Sequence, residues 1–562
     1  MKKNWIVAEP PSQDKIEEIS KELGISNIVS ELLISRGYTT PESAYKFLNP
    51  KIDALHDPFL IPNMGLAVNR IERAIKSQEK ILIYGDYDVD GTTSVSLLYN
   101  IFKKFNLTPE VYIPNRLKEG YGLTKKGVEY CLKSYVNLII TVDCGVTNVE
   151  EIGLLESKGI DVIITDHHEP EDKLPGAFAI LNPKIGEYPF SELCGCGIAF
   201  KLGQAIYKKL GQEVEELFWY LDLVALATVC DVTPLVEENR IIVKYGMKTL
   251  THTKNIGLEA LLKSTGLKNR FLDTYHLGFI LGPRINAQGR LGEAGKIVNL
   301  FTTSDREEAD KIANELKQEN TERQSIQKQI LKDALQEIEK MNLCEKRAII
   351  LAKEGWHPGV IGIVASKLVD EFYRPTVLID ENTGRGSARS ISSFHLYNAL
   401  SQCKEYLINF GGHRLAAGFT IEPKNIPLFE EKFETLAFSQ LTSEELTPKF
   451  FIDKEISSQE INENLVDEIC KFAPFGLGNP MHTFLTQGLQ VVGYPEIVGK
   501  NHLKFKVRGD GNMSIKAIGF GFGKIPLATG QYINLIYSLD RERWSGESNI
   551  LLKVKDIEIL KT

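Results

Sequence analysis

From Lys80 to Pro183 the chain alternates apolar runs of strand length with amphipathic segments, and this alternation restricts the fold more than any other feature. "KILIYG" is followed by "TTSVSLLYNIFKKF", "EVYIP" by "TKKGVEYCLKS", "NLIITVD" by "TNVEEIGLLESKG", and then comes "DVIITDHHEP". Strands that are apolar throughout, instead of at every second residue, are buried on both faces. A parallel sheet covered by helices on each side provides that burial. Ligands of such sheets gather beyond the carboxyl ends of the strands. Three of the predicted strands end there in polar groups: Asp86, Asp88 and Asp90, then Asp143, then Asp166, His167 and His168.

The rest of the chain reads as further domains, as its 562 residues require, since about 150 residues make one domain. The stretch to about Leu300 is largely helical in pattern. From Ser304 to about Met341 runs "DREEADKIANELKQENTERQSIQKQILKDALQEIEKM", charged and free of proline and glycine, which predicts a long exposed connecting helix, a pattern that a partner-binding helix shares. A second mixed domain starts near "RAIILAKEGWHPGVIGIVASKLVDEF" and reaches "GGHRLAAGFTI". Five strand-like runs then follow, "LQVVGYPEIVG", "HLKFKVRG", "SIKAIGFGFG", "QYINLIYSLDRERW" and "NILLKVKDIEIL", compatible with a small five-stranded barrel. The predicted division is residues 1–60, an N-terminal region; 61–303, the parallel-sheet domain; 304–344, the connecting helix; 345–445, the second α/β domain; and 446–562, the barrel domain.

No segment reaches the roughly 18 uncharged apolar residues of a membrane span, and "LDLVALATVC" is short and broken by Asp222. The N-terminal "MKKNWIVAEPPSQ" lacks the apolar core of a signal peptide, so a cytoplasmic protein without membrane contact is expected. Eight cysteines over this length suit a reducing compartment, and "CGC" at Cys194 and Cys196 lacks the spacing of redox or zinc pairs. The net charge of -8 excludes a general coat of nucleic-acid affinity. From Leu485 onward, however, eleven Lys and Arg stand against seven Asp and Glu.

Three carboxylates within five residues repel one another unless a cation lies between them. Asp86, Asp88, Asp90 and Gly91 match the opening of a calcium-binding EF-hand loop. That reading fails on Leu97 at the twelfth position and on the preceding strand. A phosphate-binding P-loop fails because no lysine follows Gly91. A metal site completed from neighbouring strand ends remains, with Asp143 and His167 placed beside Asp88 and Asp90 by topology alone. Oxygen donors with imidazole suit manganese or magnesium, and two such ions sharing a carboxylate serve phosphoryl hydrolysis. Taken singly, a strand-end aspartate is often a helix N-cap and "DHH" a polar turn. The conjunction favours the metal site.

"GDYDVDGTT", "VDCG" and "TDHH", in that order at these strand ends, resemble the DHH phosphoesterase superfamily, and "GRGSARS" and "FGGHRLAAGFTI" resemble its associated substrate-binding domain. With "IPNRLKEGYGL", "LGPRINAQGRLG", "WHPGVIGIVASKL" and a terminal barrel of the oligonucleotide-binding (OB) type, the resemblance covers nearly the whole chain. It is nearest to the branch that degrades single-stranded DNA from the 5′ end to mononucleotides in recombination and repair. The resemblance implies two divalent ions, manganese preferred and magnesium accepted. Asp88 and Asp143 would hold one, Asp90, Asp143, His167 and Asp231 the other, and Asp86 would be a ligand or a neighbour. Many superfamily members carry histidine four residues before the first metal aspartate, whereas this chain has Tyr84. Asp166 would orient imidazoles. His168 would contact phosphate, protonate the leaving oxygen, or serve only structure.

For substrate, the resemblance points to Arg116, Arg284 and Arg389 as phosphate forks, Asn286 and Ser387 as neutral donors, Gly411 and Gly412 as a close backbone approach, and His413 at the scissile phosphate. Phe505, Tyr532 and Trp544 are aromatic candidates in the barrel, where core packing is the commoner use of such residues. A single-strand-binding protein and a helicase are the partners implied. The competing functions are a phosphoesterase for short oligonucleotides or dinucleotides and a noncatalytic single-stranded-DNA-binding protein.

Overall fold

The strands between Lys80 and Pro183 form one sheet. The computed structural model describes residues 4–116, 118–291, 294–343, 345–510, 514–542 and 549–560. In it, five parallel strands lie in the order Glu110–Tyr112, Ile81–Gly85, Leu138–Val142, Asp161–Thr165, Ala179–Leu181. Strand order reverses between Ile81–Gly85 and Leu138–Val142, which opens a crevice at their carboxyl ends. Every residue of these two strands is buried. Ile81 and Ile83 enter one core while Leu82 and Tyr84 enter the other, so neither face has a use for polar side chains.

The crevice is tightly built. Asp88 caps the helix Val89–Lys104, its Oδ1 accepting from the Gly91 amide at 3.0 Å. A Cβ on Gly91 would stand 2.5 Å from the Asp86 carbonyl oxygen, so the turn from strand to helix closes only over glycine. The helices Gly195–Lys209 and Leu221–Cys230 pack beside it.

The connecting helix spans Arg306–Lys340 and is not exposed all round as expected. Ala309, Ile312, Ala313 and Leu316 join the core of the first domain, and Ile330, Ala334 and Ile338 that of the second. Its apolar positions are sparse because one narrow stripe serves both domains. Between the two sets the buried residues are polar: Asn320, Arg323 and Gln327.

The second domain is a mixed sheet in the order Leu407–Gly412, Ala416–Ile421, Arg385–Arg389, Thr376–Asp380, Ile349–Lys353. The barrel consists of Phe484–Val498, His502–Arg508, Ser514–Phe520, Tyr532–Glu542 and Asn549–Ile559, closed by pairing of the first with Tyr532–Glu542. The N-terminal helices Gln13–Leu23, Asn27–Ser35 and Pro41–Leu48 share a core with the barrel, through Val29, Leu33 and Phe47 against Phe472, Phe484 and Leu535. Arg240, on the helix Glu237–Thr251, joins this unit to the first domain. Buried, it donates to the carbonyls of Phe47 (2.9 Å), Phe472 (2.6 Å) and Lys471 (3.0 Å). These carbonyls end two helices, so their partial negative charge serves where no carboxylate does.

Candidate active site

Strand ends and one helix end bring five carboxylates and an imidazole together. Asp86, Asp88 and Asp143 offer ligand atoms within 4.8 Å of one another, as do Asp90, His167 and Asp231. His167 Nε2 lies 3.1 Å from Asp143 Oδ1, 3.7 Å from Asp231 Oδ2 and 3.8 Å from Asp90 Oδ2. Two unit charges at 4 Å interact by roughly 4 kcal/mol at an effective dielectric of about 20, so this cluster is not stable fully ionised and empty. Burial, then the neighbouring carboxylates, pushes Asp86 and Asp143 well above the usual carboxylate range. The same causes push Asp231 up to about 9. Asp90 is also raised, burial outweighing His167 and two backbone donors. His167 is lowered, mainly by burial, and is thus neutral and able to ligate.

The donor set fits cations. Asp86 Oδ1, Asp143 Oδ1 and His167 Nε2 are buried and, among the described residues, have no hydrogen-bond partner. Such orphans are costly unless an ion meets them. Asp143 stands at φ +59 and is not a helix cap. Asp88 caps with Oδ1, and among the described residues no hydrogen bond occupies its Oδ2, which leaves that oxygen to an ion.

Around these groups lies a supporting layer. Asp90 accepts from the amides of Gly195 (2.6 Å) and Cys196 (2.8 Å), the first residues of Gly195–Lys209. The "CGC" cysteines are buried, and the use of the motif is its backbone: a Cβ on Gly195 would lie 2.7 Å from Asp143 Cβ and 3.0 Å from Asp90 Oδ2. Asp166 points away from the cluster. Its Oδ2 accepts from Val146 N (2.9 Å), and its Oδ1 from His167 N (2.8 Å) and His168 N (3.1 Å), with His168 Nδ1 at 2.7 Å. Burial raises Asp166, but His168 and these backbone donors outweigh it and hold the carboxyl below its usual range. His168 is raised, because the Asp166 hydrogen bond and charge exceed the effect of burial. The Tyr121 hydroxyl donates to the Asp143 carbonyl at 3.1 Å and lies 3.1 and 3.2 Å from the two ring nitrogens of His168.

Tyr84 is no ligand. It lies in the other core, donates to Gly122 O (3.1 Å) and accepts from Thr124 N (3.2 Å), tying down the loop that carries Arg116 and Tyr121.

Next to the cluster is a group of arginines. Arg116 sits 5.2 Å over the Tyr87 ring and acts electrostatically on Asp86, Arg290 and Arg389. Burial lowers Arg290 to about 10, with Arg116, Arg323 and Arg389 adding like charge. Their hydrogen bonds go to neutral groups: Arg290 to Gly359 O (2.9 Å), Arg389 to Ala388 O (2.7 Å) and Ser387 Oγ (3.2 Å), Arg323 to Asn320 Oδ1 (3.2 Å). Arg284, on the helix Gly282–Leu291 with Asn286, bonds to Ile280 O (2.5 Å) and lies near Arg323. Arg323 is buried, Arg284, Arg290 and Arg389 are half-buried and Arg116 is exposed, and among the described residues no ion pair with a carboxylate involves any of the five, a grouping that suits an anion.

The sequence reading missed Arg290 and Arg323, although Arg290 lies in a quoted motif, and it missed Tyr121 and Gly195. Gly411, Gly412 and His413 lie on an exposed hairpin of the second sheet. There Gly411 shares a row with Gly418 and Ser387. Among the described residues, no hydrogen bond or ion pair joins His413 to the carboxylate cluster. In the barrel, Phe505 is core at 3% exposure, Tyr532 is 45% exposed, and Trp544 lies outside the described residues. Lys504, Lys506 and Arg508 line the outer face, with Lys506 directly opposite Lys516, whose ammonium pairs with Glu542 at 2.5 Å.

A parallel sheet with this acid–imidazole edge, joined by one long helix to a second mixed domain, defines a phosphoesterase of the DHH class. Family models agree: the DHH family N-terminal domain matches residues 80–228, the DHHA1 domain 345–437 and the RecJ OB domain 452–556. The single-stranded-DNA-specific exonuclease RecJ of Bacillus subtilis strain 168 is 38% identical, over 99% of this chain and 71% of its own length. RecJ from Thermus thermophilus in complex with Mn2+ superposes with a TM-score of 0.86 at 27% identity, covering 100% of this chain and 80% of that one. Its Mg2+ complex gives 0.80 at 25% identity, covering 100% and 79%. The chain belongs to the RecJ family of single-stranded-DNA exonucleases.

Proposed function

We propose that this chain hydrolyses single-stranded DNA from the 5′ end, releasing mononucleotides, with two manganese or magnesium ions held at the sheet edge. The observation that carries this reading is the trio of orphaned buried donors, Asp86 Oδ1, Asp143 Oδ1 and His167 Nε2. Asp88 and Asp143, with Asp86, hold one ion; Asp90, Asp143, His167 and Asp231 hold the other. Divalent ions supply Lewis acidity at a phosphate and acidify water. His168, held by Asp166, faces the phosphate and donates a proton to the departing oxygen. Arg116, Arg290 and Arg389, with Ser387, bind backbone phosphate, while Arg284, Asn286 and Arg323 extend the charged floor. Gly411, Gly412 and His413 close over the bound strand from the second domain. The basic barrel face leads DNA inward. The division at residues 60, 303, 344 and 445 separates these tasks. Because the substrate is single-stranded, a helicase and a single-strand-binding protein in the cytoplasm are its natural suppliers.

Strands labelled at either end and blocked at one or the other, incubated with manganese and then magnesium, test this reading. Mononucleotides are expected unless the 5′ end is blocked. Activity confined to dinucleotides would establish a short-oligonucleotide enzyme, and binding without metal-dependent hydrolysis a binding module.

A pH effect follows with a definite sign. Carboxylates raised in the folded state favour folding while protonated. Metal-free stability is therefore intact below the ordinary range near about pH 4 and declines as pH climbs toward about 9, where Asp231 ionises. Bound cations replace those protons and remove the decline, whereas the Asp166–His168 pair acts in both forms and cancels. Melting curves with chelator and with manganese should therefore diverge as pH rises. Parallel curves would contradict the carboxylate cluster as the site of the ions.

A further inference from the structure

Asp231 is the one carboxylate of the cluster that follows a helix instead of a strand, and its support is unusual. It ends the helix Leu221–Cys230, with its amide bonded to Ala227 O at 2.8 Å. The next residue, Val232, has φ +60 and is 63% exposed. A β-branched residue in the left-handed region is an outlier, and an exposed side chain has no packing to hold it there. The backbone after it is held instead. Thr233 Oγ1 donates to Thr228 O at 3.0 Å, and the Leu235 amide donates to Leu477 O at 2.7 Å.

Leu477 belongs to another part of the chain, the loop Phe472–Pro480 that leads into the barrel. This loop lies against the turn after Asp231 at several points. The loop is itself held from a third segment, just before the helix His276–Leu281, where the Thr274 hydroxyl donates to Phe475 O at 2.6 Å. A Cβ on Gly476 would lie 2.7 Å from Leu235 Cδ1, and one on Gly478, at φ +71, 3.1 Å from Pro234 Cβ. Asn479, fully buried, folds the loop by donating to Phe472 O (2.7 Å) and Pro474 O (2.8 Å).

We propose that the loop Phe472–Pro480 is a strut that holds the turn Val232–Leu235 and so positions Asp231 for its metal ion. This rests on the assignment of Asp231 as a ligand under the proposed function. The barrel is then part of the metal centre's support as well as a DNA guide. Docking of the barrel and loading of that one ion favour each other, since coupling between two sites is reciprocal. The residues of the strut are positioning residues, none of them touching substrate or ion.

Manganese alone, titrated into the full chain while the free ion is followed by electron paramagnetic resonance, tests the proposal. Wild type should load two ions. Gly478→Ala, folded by circular dichroism, should lose about ten-fold in affinity for one ion and keep the other, in the range seen when support of a ligand is removed. Asp231→Ala should lose the same ion, and the double variant should lose no more than Asp231→Ala. Should Gly478→Ala fail to fold, Thr274→Val, which removes a single hydroxyl bond, should weaken that same ion about three-fold. Wild-type loading in the folded strut variants, with Asp231→Ala impaired, would overturn the strut alone. Wild-type loading in Asp231→Ala would overturn the ligand assignment and the strut with it.

Discussion

Replacing Asp143 by Asn is expected to lower hydrolysis of single-stranded DNA by roughly a thousand-fold, about 4 kcal/mol of transition-state stabilisation, while DNA binding stays within about three-fold of wild type. Asn is the chosen substitute because Asp143 stands at φ +59, which Asn tolerates better than other residues apart from glycine. Both backbone contacts, from the Asp143 amide to Thr165 O at 2.9 Å and from Tyr121 to the Asp143 carbonyl, survive the change. What disappears is the charge shared by both proposed ions. Binding should persist because the arginines and the barrel, the proposed phosphate contacts, make no hydrogen bond or ion pair with this side chain among the described residues. The metal-free variant should also melt higher than wild type, since a carboxylate raised by burial and then by its neighbours is removed. Single-turnover cleavage, filter binding and melting with chelator check the three expectations separately. An unchanged cleavage rate would remove Asp143 from the reaction.

Gly195→Ala should cost nearly as much from a residue that carries no functional group. Its Cβ would fall 2.7 Å from Asp143 Cβ and 3.0 Å from Asp143 Oδ1 and Asp90 Oδ2. Either the carboxylates move or the amides of Gly195 and Cys196 swing off Asp90. The first route disturbs Asp143, the proposed ligand of both ions, and the second Asp90, a proposed ligand of one, and loss of such support typically costs 10- to 100-fold in metal affinity or activity. Manganese titration together with kcat should show a loss of about 100-fold that excess manganese partly restores, in a chain that remains folded. Wild-type affinity in the variant would mean that the helix Gly195–Lys209 does not hold the site.

The sheet and its polar edge were legible because both faces of its strands are covered. Unbroken apolar runs such as "NLIITVD" announce a strand, and parallel topology then fixes where the residue after it must stand. The barrel was legible for the opposite reason, its strands alternating as in His502–Arg508, where every second residue is buried. Contacts between distant segments were not legible. Nothing in the N-terminal helices marks them as part of the barrel's core, nor Arg240 as the joint between three parts. The connecting helix was read as exposed because its one apolar stripe is shared between two domains. Gly195 escaped notice because "CGC" draws attention to sulfur, whereas its role lies in two amides and a missing side chain. Arg290 and Arg323 look like ordinary surface charges until the fold buries Arg323 near Arg284 and half-buries Arg290 beside Arg116 and Arg389. Helices from distant parts of the chain create that pocket, and no local pattern announces it.

Crystals soaked in manganese and measured at its absorption edge offer the most direct test of the whole account. Two anomalous peaks are predicted, both against Asp143, one bordered by Asp86 and Asp88 and the other by Asp90, His167 and Asp231. A map with no peak there, at manganese concentrations that support cleavage, would contradict it.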